Sequence, residues 1–288
     1  MKKYTSILVM FLSVLTFAQT GIVFDDLSMK SEILDMERKY AIYLPPDYET
    51  SQRSYPVLYL LHGGGDDQTG WVQFGEVKHI ADKTIQKGRT TPMIIVMPDA
   101  NSGKRGYTND ATGEWRYEDF FFDEFMPYIE KTYRIKNVKR YRAIAGLSMG
   151  GGGTYYYALH RPDLFRTACP LSASARPINT EGAKSYMKRR QMADASEKQV
   201  ENWLKKYNIH EIIANMPDDK KDSVRWYIDC GDDDFLYEGN SLIHIAMRKN
   251  DIPHEFRIRD GKHDWTYWRH SLYDVLNYIS IGFHQGTD

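Results

Sequence analysis

A serine between two glycines marks the strongest candidate for chemistry in this chain. Ser148 lies in the sequence GLSMG at 146–150, which follows an apolar segment, 142–147, and precedes a helix-like segment, 154–160. A tight strand-turn-helix connection needs nearly side-chain-free residues two positions before and two after the serine, and it exposes the hydroxyl at the carboxyl edge of a sheet. We therefore predict that Ser148 is a nucleophile. A glycine-rich turn without chemistry is the alternative interpretation.

A second glycine-rich run follows an earlier apolar segment. His62 precedes three glycines, 63–65. In hydrolases with a nucleophile of this kind, one N–H group of such a loop and the N–H of the residue after the serine stabilise the oxyanion of the tetrahedral intermediate. We assign these two roles to Gly64 and Met149, with Gly65 as the alternative to Gly64. His62 is interpreted as structural, and a flexible glycine turn is the competing interpretation of the loop.

A serine hydroxyl needs a base to become a nucleophile, and nine histidines are available. We expect the base after the last predicted strand, 254–258, in a loop that can reach back over the sheet edge. His263 lies in such a loop, 261–265, and is the predicted base. His270, farther along the following helix, and His254, inside the strand, are the weaker alternatives.

The acid that orients the histidine should lie between the serine and the histidine in the chain, directly after a strand. Four acidic residues follow or end the predicted strand 224–228: Asp229, Asp232, Asp233 and Asp234. We predict Asp234, because it comes after the turn, where the chain can run back toward the histidine loop. A calcium site in this acidic run is the alternative, but its spacing differs from that of an EF-hand loop. We expect no metal and no organic cofactor.

Short apolar runs alternate with amphipathic stretches over most of the chain. We predict strands at 40–44, 57–61, 93–97, 142–147, 165–171, 224–228 and 254–258, and helices at 117–133, 154–160, 241–249 and 271–281, with Pro127 interrupting the first helix. Repeated β-α-β units of this kind predict an α/β fold with a mostly parallel central sheet and helices on both faces.

One stretch, 172–222, interrupts this alternation. It lies between the strands predicted near 165–171 and 224–228, contains many charged residues and has no strong strand candidate. We interpret it as a helical, lid-like insertion into a single domain, 19–288, rather than as a second domain. A loop without a covering role is the alternative.

The N-terminus has the pattern of a secretory signal. Lys2 and Lys3 precede an apolar run, 7–17, and small residues then lead to a cleavage point after Ala18. The run is shorter than the about 20 residues needed for a membrane span. We therefore expect residues 1–18 to be removed, no membrane span, and a secreted or periplasmic protein.

The overall composition limits the partners. The chain has 288 residues, with 38 Lys and Arg against 39 Asp and Glu, and this balance argues against nucleic acid as a partner. The only two cysteines, Cys169 and Cys230, are interpreted as buried free thiols. A disulfide between them is the alternative that an oxidising compartment permits. The oligomeric state is open.

Together these motifs resemble the esterase-D-like α/β hydrolases and, within that group, carbohydrate esterase family 1. The resemblance covers nearly all of the chain after residue 18 and is carried by segments 38–46, 55–66, 146–150, 230–235 and 261–265. It implies an α/β-hydrolase fold. It also implies the triad Ser148, Asp234 and His263, and oxyanion donors at Gly64 and Met149.

The resemblance further implies the activity of feruloyl esterases and acetylxylan esterases, which remove acyl groups from plant cell-wall xylan. We expect a serine esterase whose partner is an acylated oligosaccharide or polysaccharide, with feruloyl groups favoured and acetylxylan as the alternative. A non-catalytic carbohydrate-binding protein on a hydrolase fold is the competing class. The export signal argues against the S-formylglutathione hydrolase activity of other relatives.

Three aromatic residues are candidates for stacking on an acyl group or a sugar. Trp71, Tyr107 and Trp115 are expected on loops at the active side of the sheet. Ordinary packing inside the fold is the alternative interpretation for each of them.

Overall fold

The computed structural model describes residues 19–101, 106–175, 179–192 and 194–284. The predicted signal segment, residues 1–18, lies outside this part of the chain. The described residues form one eight-stranded sheet in the order β1-β2-β4-β3-β5-β6-β7-β8. The strands are β1 (Ile22–Ser31), β2 (Met36–Leu44), β3 (Val57–Leu61), β4 (Ile94–Pro98), β5 (Arg142–Leu147), β6 (Thr167–Leu171), β7 (Arg225–Gly231) and β8 (His254–Arg259).

The sheet is mostly parallel. The pairs β1-β2 and β2-β4 run antiparallel, whereas all pairs from β4 to β8 run parallel. The seven predicted strands correspond to β2–β8. Strand β1 was not predicted, because it lies at the sheet edge, is largely exposed and carries a bulge between Phe24 and Leu27 that breaks the alternation of apolar and polar residues.

Helices and short turns connect the strands. The α-helices are α1 (Gly70–Gln73), α2 (Val77–Gln86), α3 (Tyr117–Asp119), α4 (Met126–Thr132), α5 (Met149–His160), α6 (Thr180–Arg189), α7 (Glu197–Tyr207), α8 (Ile209–Ala214), α9 (Tyr237–Lys249) and α10 (Trp265–His284). A π-helix spans Phe120–Phe125, and 3-10 turns span Lys139–Tyr141 and Asp218–Lys220. No helix of the described ranges is both long and apolar enough to cross a membrane.

Both faces of the sheet are covered, as predicted. Strands β3, β4 and β6 are buried along their whole length, which explains why β3 and β4 are continuously apolar and why Thr167 is the one polar residue of β6. One core forms between the sheet and the helices α2 and α10, with Ile80 and Leu272 among its residues. The other core lies against α5 and α9 and contains Tyr155 and Ile243. Cys169 and Cys230 are both buried and free, which confirms the free-thiol interpretation.

The predicted helix 117–133 is three helical pieces rather than one. The pieces follow one another without a gap: a π-helix replaces the middle, and Pro127 lies just after it, in the first turn of α4, without ending the helical stretch. The wider π turn buries Phe120, Phe121 and Phe125 together, which is what the apolar spacing of this segment requires.

The insertion 172–222 is helical, as predicted, and it is fixed to the core by a buried charge cluster. Glu118, at α3, accepts a hydrogen bond from the His160 ring at 2.6 Å and one from the Tyr207 hydroxyl of the insertion. Lys206, also in the insertion, places its ammonium nitrogen 2.8 Å from the second Glu118 oxygen. Helix α7 is therefore held against the domain by a carboxylate that lies outside the insertion.

Burial by itself would raise the pKa of Glu118. The hydrogen bond from His160 and the positive charges of His160 and Lys206 outweigh this effect and lower the pKa to about 2, from the ordinary value of 4.5. A carboxyl group whose pKa is lowered in the folded state stabilises the fold above its unfolded pKa, and this contribution disappears as the pH falls through the folded pKa. The cluster therefore stabilises the protein at neutral pH and weakens below about pH 4.5.

We expect Glu118→Gln to reduce the free energy of unfolding at pH 7 by about 3 kcal/mol, because it leaves His160 and Lys206 without their buried counter-charge. The difference from the unmodified protein should narrow at pH 3.5, where the carboxylate contribution has begun to disappear. Urea unfolding at the two pH values measures both differences. Glu201→Gln, at an exposed position on α7, is the matched control and should change stability by less than about 0.5 kcal/mol. An equal loss at both pH values would contradict the role of this charge.

Candidate active site

The turn between β5 and α5 holds Ser148 in a strained backbone conformation. Its φ of 55° and ψ of −112° lie outside the regions that residues with a side chain normally occupy. A Cβ on Gly146 would lie 2.6 Å from the Gly150 carbonyl oxygen, and a Cβ on Gly150 would lie 2.6 Å from the carbonyl oxygens of Leu61 and His62. The turn therefore requires glycine on both sides of the serine, as the sequence pattern predicted.

The three residues predicted as a triad meet at this turn. The Nε2 atom of His263 lies 3.0 Å from the Ser148 hydroxyl oxygen, and its Nδ1 atom lies 2.8 Å from an Asp234 carboxylate oxygen. A carboxylate only accepts, so Nδ1 carries the proton and Nε2 presents its lone pair to the serine. This arrangement can remove the serine proton. The alternatives lie elsewhere: His254 contacts His244, and His270 is exposed on α10.

Asp234 is fully buried and ionised. Burial would raise the pKa of its carboxyl group, but hydrogen bonds from His263, from the Leu236 N–H and from the Ser172 hydroxyl outweigh that effect and lower the pKa. The Leu236 N–H bond measures 2.8 Å. The buried negative charge therefore stays in place to orient the imidazole and to stabilise its protonated form.

Two residues that sequence reasoning missed support the aspartate. Ser172 directly follows β6, and its hydroxyl oxygen accepts a hydrogen bond of 3.0 Å from the indole N–H of Trp268. The hydroxyl proton is thereby left for Asp234. The Trp268 ring also packs edge-on against the His263 ring, with centroids 4.8 Å apart. No local sequence signal marks either residue, because they come from different elements and meet only in the folded chain.

The competing acids have other partners. Asp229 is buried in β7, where the Tyr267 hydroxyl donates to its carboxylate and Arg259 forms an ion pair with it. Asp232 is exposed and accepts a hydrogen bond from the Gly261 N–H at 3.0 Å, which joins the aspartate loop to the histidine loop. Among the described residues, no group of three or more His, Cys, Asp or Glu side chains could hold a metal ion.

The glycine loop after β3 lies against the serine turn. A Cβ added to Gly63 would lie 2.6 Å from a Leu147 methyl carbon, and one on Gly64 would lie 4.0 Å from the Met149 Cβ. The two predicted oxyanion donors, Gly64 and Met149, are therefore neighbours. This loop could not approach the turn so closely if Gly63 carried a side chain.

His62 is structural, as interpreted from the sequence, and its protonation follows from its contacts. The Ala100 N–H donates to Nε2 at 2.9 Å, so the proton lies on Nδ1, which donates to the Gly63 carbonyl oxygen at 2.8 Å. The C=O of Gly63 and the N–H of Gly64 share one trans peptide and point in opposite directions. The imidazole therefore fixes the direction of the Gly64 N–H.

The three aromatic residues expected to stack on a ligand are packed inside the fold, so that prediction is wrong. Trp71 is 0% exposed, and its indole N–H donates to the Leu61 carbonyl oxygen at 3.0 Å. Tyr107 and Trp115 are buried too, and Tyr107 donates to the His62 carbonyl oxygen. All three belong to the core, because burial of large aromatic surface stabilises the fold more than exposure would.

A different aromatic residue is exposed beside the triad. Phe235 is 63% exposed, and its ring centroid lies 4.5 Å from that of His263. The sequence contained a signal for it, since Phe235 directly follows the predicted acid Asp234. The helical insertion also contacts Met149, the residue after Ser148. Arg190, after α6, places a guanidinium nitrogen 2.6 Å from the Met149 sulfur.

The comparisons with known proteins agree with this geometry. A family model with the description "Putative esterase" matches residues 31–279. The chain belongs to this esterase family. It is similar to a solved ferulic acid esterase, with 35% identity, coverage of 92% of this chain and 99% of the other, and a TM-score of 0.80. The fold is the α/β-hydrolase fold that the resemblance implied.

Two further relatives place limits on the comparison. The endo-1,4-beta-xylanase/feruloyl esterase of Xylanibacter ruminicola is 40% identical over 130 residues, which are 43% of this chain but 18% of that protein. Esterase MT1326 of Mycobacterium tuberculosis is 39% identical over 138 residues, 46% of this chain and 28% of its own length. The chain thus spans less than a third of the length of these curated relatives.

We expect His62→Gln to lower the kcat of this esterase-family protein on a nitrophenyl ester by about tenfold to hundredfold, because an oxyanion donor contributes about 3 kcal/mol. Glutamine can still accept from the Ala100 N–H but no longer donates at the Nδ1 position to Gly63. His62→Asn is the matched variant, since its amide can donate near Nδ1. Similar melting temperatures with a larger kcat loss in the glutamine variant would support the role of His62, and equal kcat losses would contradict it.

Proposed function

We propose that this protein is a serine carboxylic-ester hydrolase that removes acyl groups, with feruloyl favoured, from plant cell-wall polysaccharide such as xylan. The observation that carries the proposal is the continuous hydrogen-bonded chain from Ser148 through His263 to Asp234, which begins at a serine held in a strained turn. The similarity to a ferulic acid esterase over 92% of the chain supports the feruloyl preference.

In the first half of the reaction, Ser148 attacks the ester carbonyl carbon while His263 Nε2 takes the hydroxyl proton. The negative oxygen of the tetrahedral intermediate accepts hydrogen bonds from the N–H groups of Gly64 and Met149. The intermediate then collapses. His263 gives its proton to the leaving alcohol oxygen, and the acyl group remains on Ser148.

In the second half, a water molecule replaces the alcohol. His263 removes a proton from this water as it attacks the acyl carbon, and the same two N–H groups stabilise the second oxyanion. The Ser148 oxygen then leaves with the proton that His263 carried, and the free acid is released. Asp234 keeps the imidazole oriented through both halves and stays ionised, because the hydrogen bonds around it keep the pKa of its carboxyl group low.

An acetyl ester is the second candidate substrate. The acetyl esterase of Caldicellulosiruptor saccharolyticus is 19% identical over 237 residues, which are 81% of this chain and 86% of that enzyme. This relative aligns over most of both chains, so acetylxylan is tested beside the feruloyl substrate.

We expect the purified protein to release ferulate from methyl ferulate at least about tenfold faster, by kcat/KM, than acetate from acetylated xylan.

Ser148→Ala should release neither acid above the uncatalysed rate, because the acyl-enzyme cannot form. Asp234→Asn should lower kcat by about 10⁴-fold, since an amide favours the wrong imidazole tautomer. Chromatography of both acids, with circular dichroism as a control for folding, measures these effects.

Each alternative gives its own result in that experiment. Release of acetate alone would replace the feruloyl preference with the acetylxylan assignment. Turnover retained by pure Ser148→Ala would refute the mechanism. Sugar binding without release of any acid would instead favour the non-catalytic carbohydrate-binding protein.

We propose further that the protein is exported and that residues 1–18 are removed. The support is the sequence pattern of a basic start, a short apolar run and small residues before position 19. Expression of the full sequence in a bacterial host should yield extracytoplasmic protein whose first residue is Gln19 by N-terminal sequencing. Recovery only from the cytoplasm, with Met1 intact, would contradict export.

A further inference from the structure

A cation of the helical insertion lies beside the residue that follows the nucleophile. Arg190, directly after α6, is partly buried, and a guanidinium nitrogen lies 2.6 Å from the Met149 sulfur. A thioether sulfur is a weak acceptor, so this contact leaves the five guanidinium donors largely unsatisfied. Arg142, also partly buried, pairs with Glu130, whereas no carboxylate of the described residues forms an ion pair with Arg190. The Arg190 guanidinium is therefore a cation beside the site that can still bind a ligand.

A row of aromatic rings holds Arg190 in this place. The guanidinium carbon lies 5.2 Å from the centroid of the Tyr186 ring, one turn earlier in the chain. The Tyr186 ring packs against Trp203, with centroids 5.3 Å apart, and Trp203 packs against Tyr207 at 4.9 Å. The Tyr207 hydroxyl in turn donates to the buried Glu118 carboxylate. The row connects Arg190 to the core, so the guanidinium is positioned before any ligand binds, and less entropy is lost on binding.

Arg190 is within reach of the far end of an acyl group on Ser148. Met149 follows Ser148 directly, and consecutive Cα atoms are about 3.8 Å apart. The length of the Met149 side chain and its contact with Arg190 then place the guanidinium within about 10 Å of the Ser148 Cα. A hydroxycinnamoyl group is rigid and extends its ring oxygens over a comparable length from the carbonyl carbon.

The direction of proton transfer indicates which part of the ester lies toward Arg190. His263 must protonate the leaving oxygen, so the alcohol lies beside the imidazole. The His263 ring packs on Phe235 and Trp268, which both lie outside the insertion. Arg190 instead contacts Met149, whose N–H is a predicted oxyanion donor. We therefore place the acyl group, rather than the alcohol, on the side of the insertion.

The donor geometry of a guanidinium favours one kind of acyl group. Its N–H groups form a planar fork that can bind two neighbouring oxygens at once. A feruloyl ring carries a hydroxyl oxygen and a methoxy oxygen on adjacent carbons, and both can accept from such a fork. A cinnamoyl ring has the same shape but neither oxygen. A guanidinium at the ring end of the acyl group therefore distinguishes these two esters, which react in the same way at the carbonyl.

We propose that Arg190 is a specificity-determining residue that binds the two ring oxygens of a feruloyl group while the ester carbonyl lies at Ser148. This inference rests on the proposed ester hydrolysis and adds to it a role for the insertion in recognising the acyl group. The hydrogen bonds to the ring oxygens form when the ester binds and persist through the reaction, so they stabilise the bound ester and the transition state equally. Loss of Arg190 then raises KM and leaves kcat nearly unchanged.

The test compares methyl ferulate with methyl cinnamate. We expect Arg190→Met to raise KM for methyl ferulate about tenfold, close to the loss of one hydrogen bond from a charged group, and KM for methyl cinnamate less than about twofold. Arg190→Lys keeps the charge but not the fork, so its KM for methyl ferulate should be intermediate. Arg189→Met is the matched control, because Arg189 is exposed and its guanidinium donates to the Ser185 hydroxyl at 2.6 Å. The control should leave KM unchanged for both esters.

Equal rises in KM for both esters would show that Arg190 acts through the shape of the site, and no rise for either would show that no ring oxygen reaches it; both results overturn the inference. A second measurement separates it from the proposed function. Binding of free ferulate to Ser148→Ala, by calorimetry, should weaken about tenfold when Arg190→Met is added, whereas binding of free cinnamate should not. Equal weakening for both acids would assign the guanidinium to their carboxylates and would also overturn the inference. Absence of ester cleavage by the unmodified protein would refute the proposed function, while the difference between the two acids would still support Arg190 as the site for the ring oxygens.

Discussion

The imidazole of His263 bridges the partly buried Ser148 hydroxyl and a fully buried carboxylate, and the rest of the site depends on that bridge. Asp234 is a charge removed from water, which is costly unless hydrogen bonds replace the lost solvation. Three donors do so: the His263 ring, the Leu236 N–H and the Ser172 hydroxyl. Each of these donors also belongs to another part of the site: the base, the loop after β7, or the end of β6. Satisfying one buried charge therefore orients the base, fixes the loop that carries Phe235, and joins β6 to the site.

The sheet explains how three distant segments reach one point. Strands β5, β7 and β8 are parallel to one another, so their carboxyl ends lie at the same edge, and Ser148, Asp234 and His263 each follow one of them. The hydrogen bond from the Gly261 N–H to Asp232 ties two of the three loops together. The third loop is set by steric contact, since its glycines pack against neighbouring backbone.

The sequence alone determined the parts that depend on local chemistry. The pattern GLSMG predicted Ser148 as a nucleophile without tertiary information, although glycine at positions 146 and 150 is required by contact with the neighbouring strand end, Leu61 and His62, as well as by the turn. Strands β3 and β4 followed from continuous apolar runs, because a strand buried on both faces has no polar position. Strand β8 contains His254, Glu255 and Arg257 and is only partly buried, so its place after a helical segment predicted it. The order of serine, acid and histidine along the chain then selected Asp234 and His263, and the structure brings both to Ser148.

Only the tertiary structure decided which side chains are exposed beside the triad and which are packed in the core around it. Trp71, Tyr107 and Trp115 follow strands at the active edge, yet they are buried, while Phe235 is exposed beside His263. Ser172 and Trp268 come from separate elements, and Glu118 holds an insertion that begins more than fifty residues later. Sequence spacing reports the direction of a side chain within one helix or strand. Burial depends on what packs above each residue, and that neighbour comes from elsewhere in the chain.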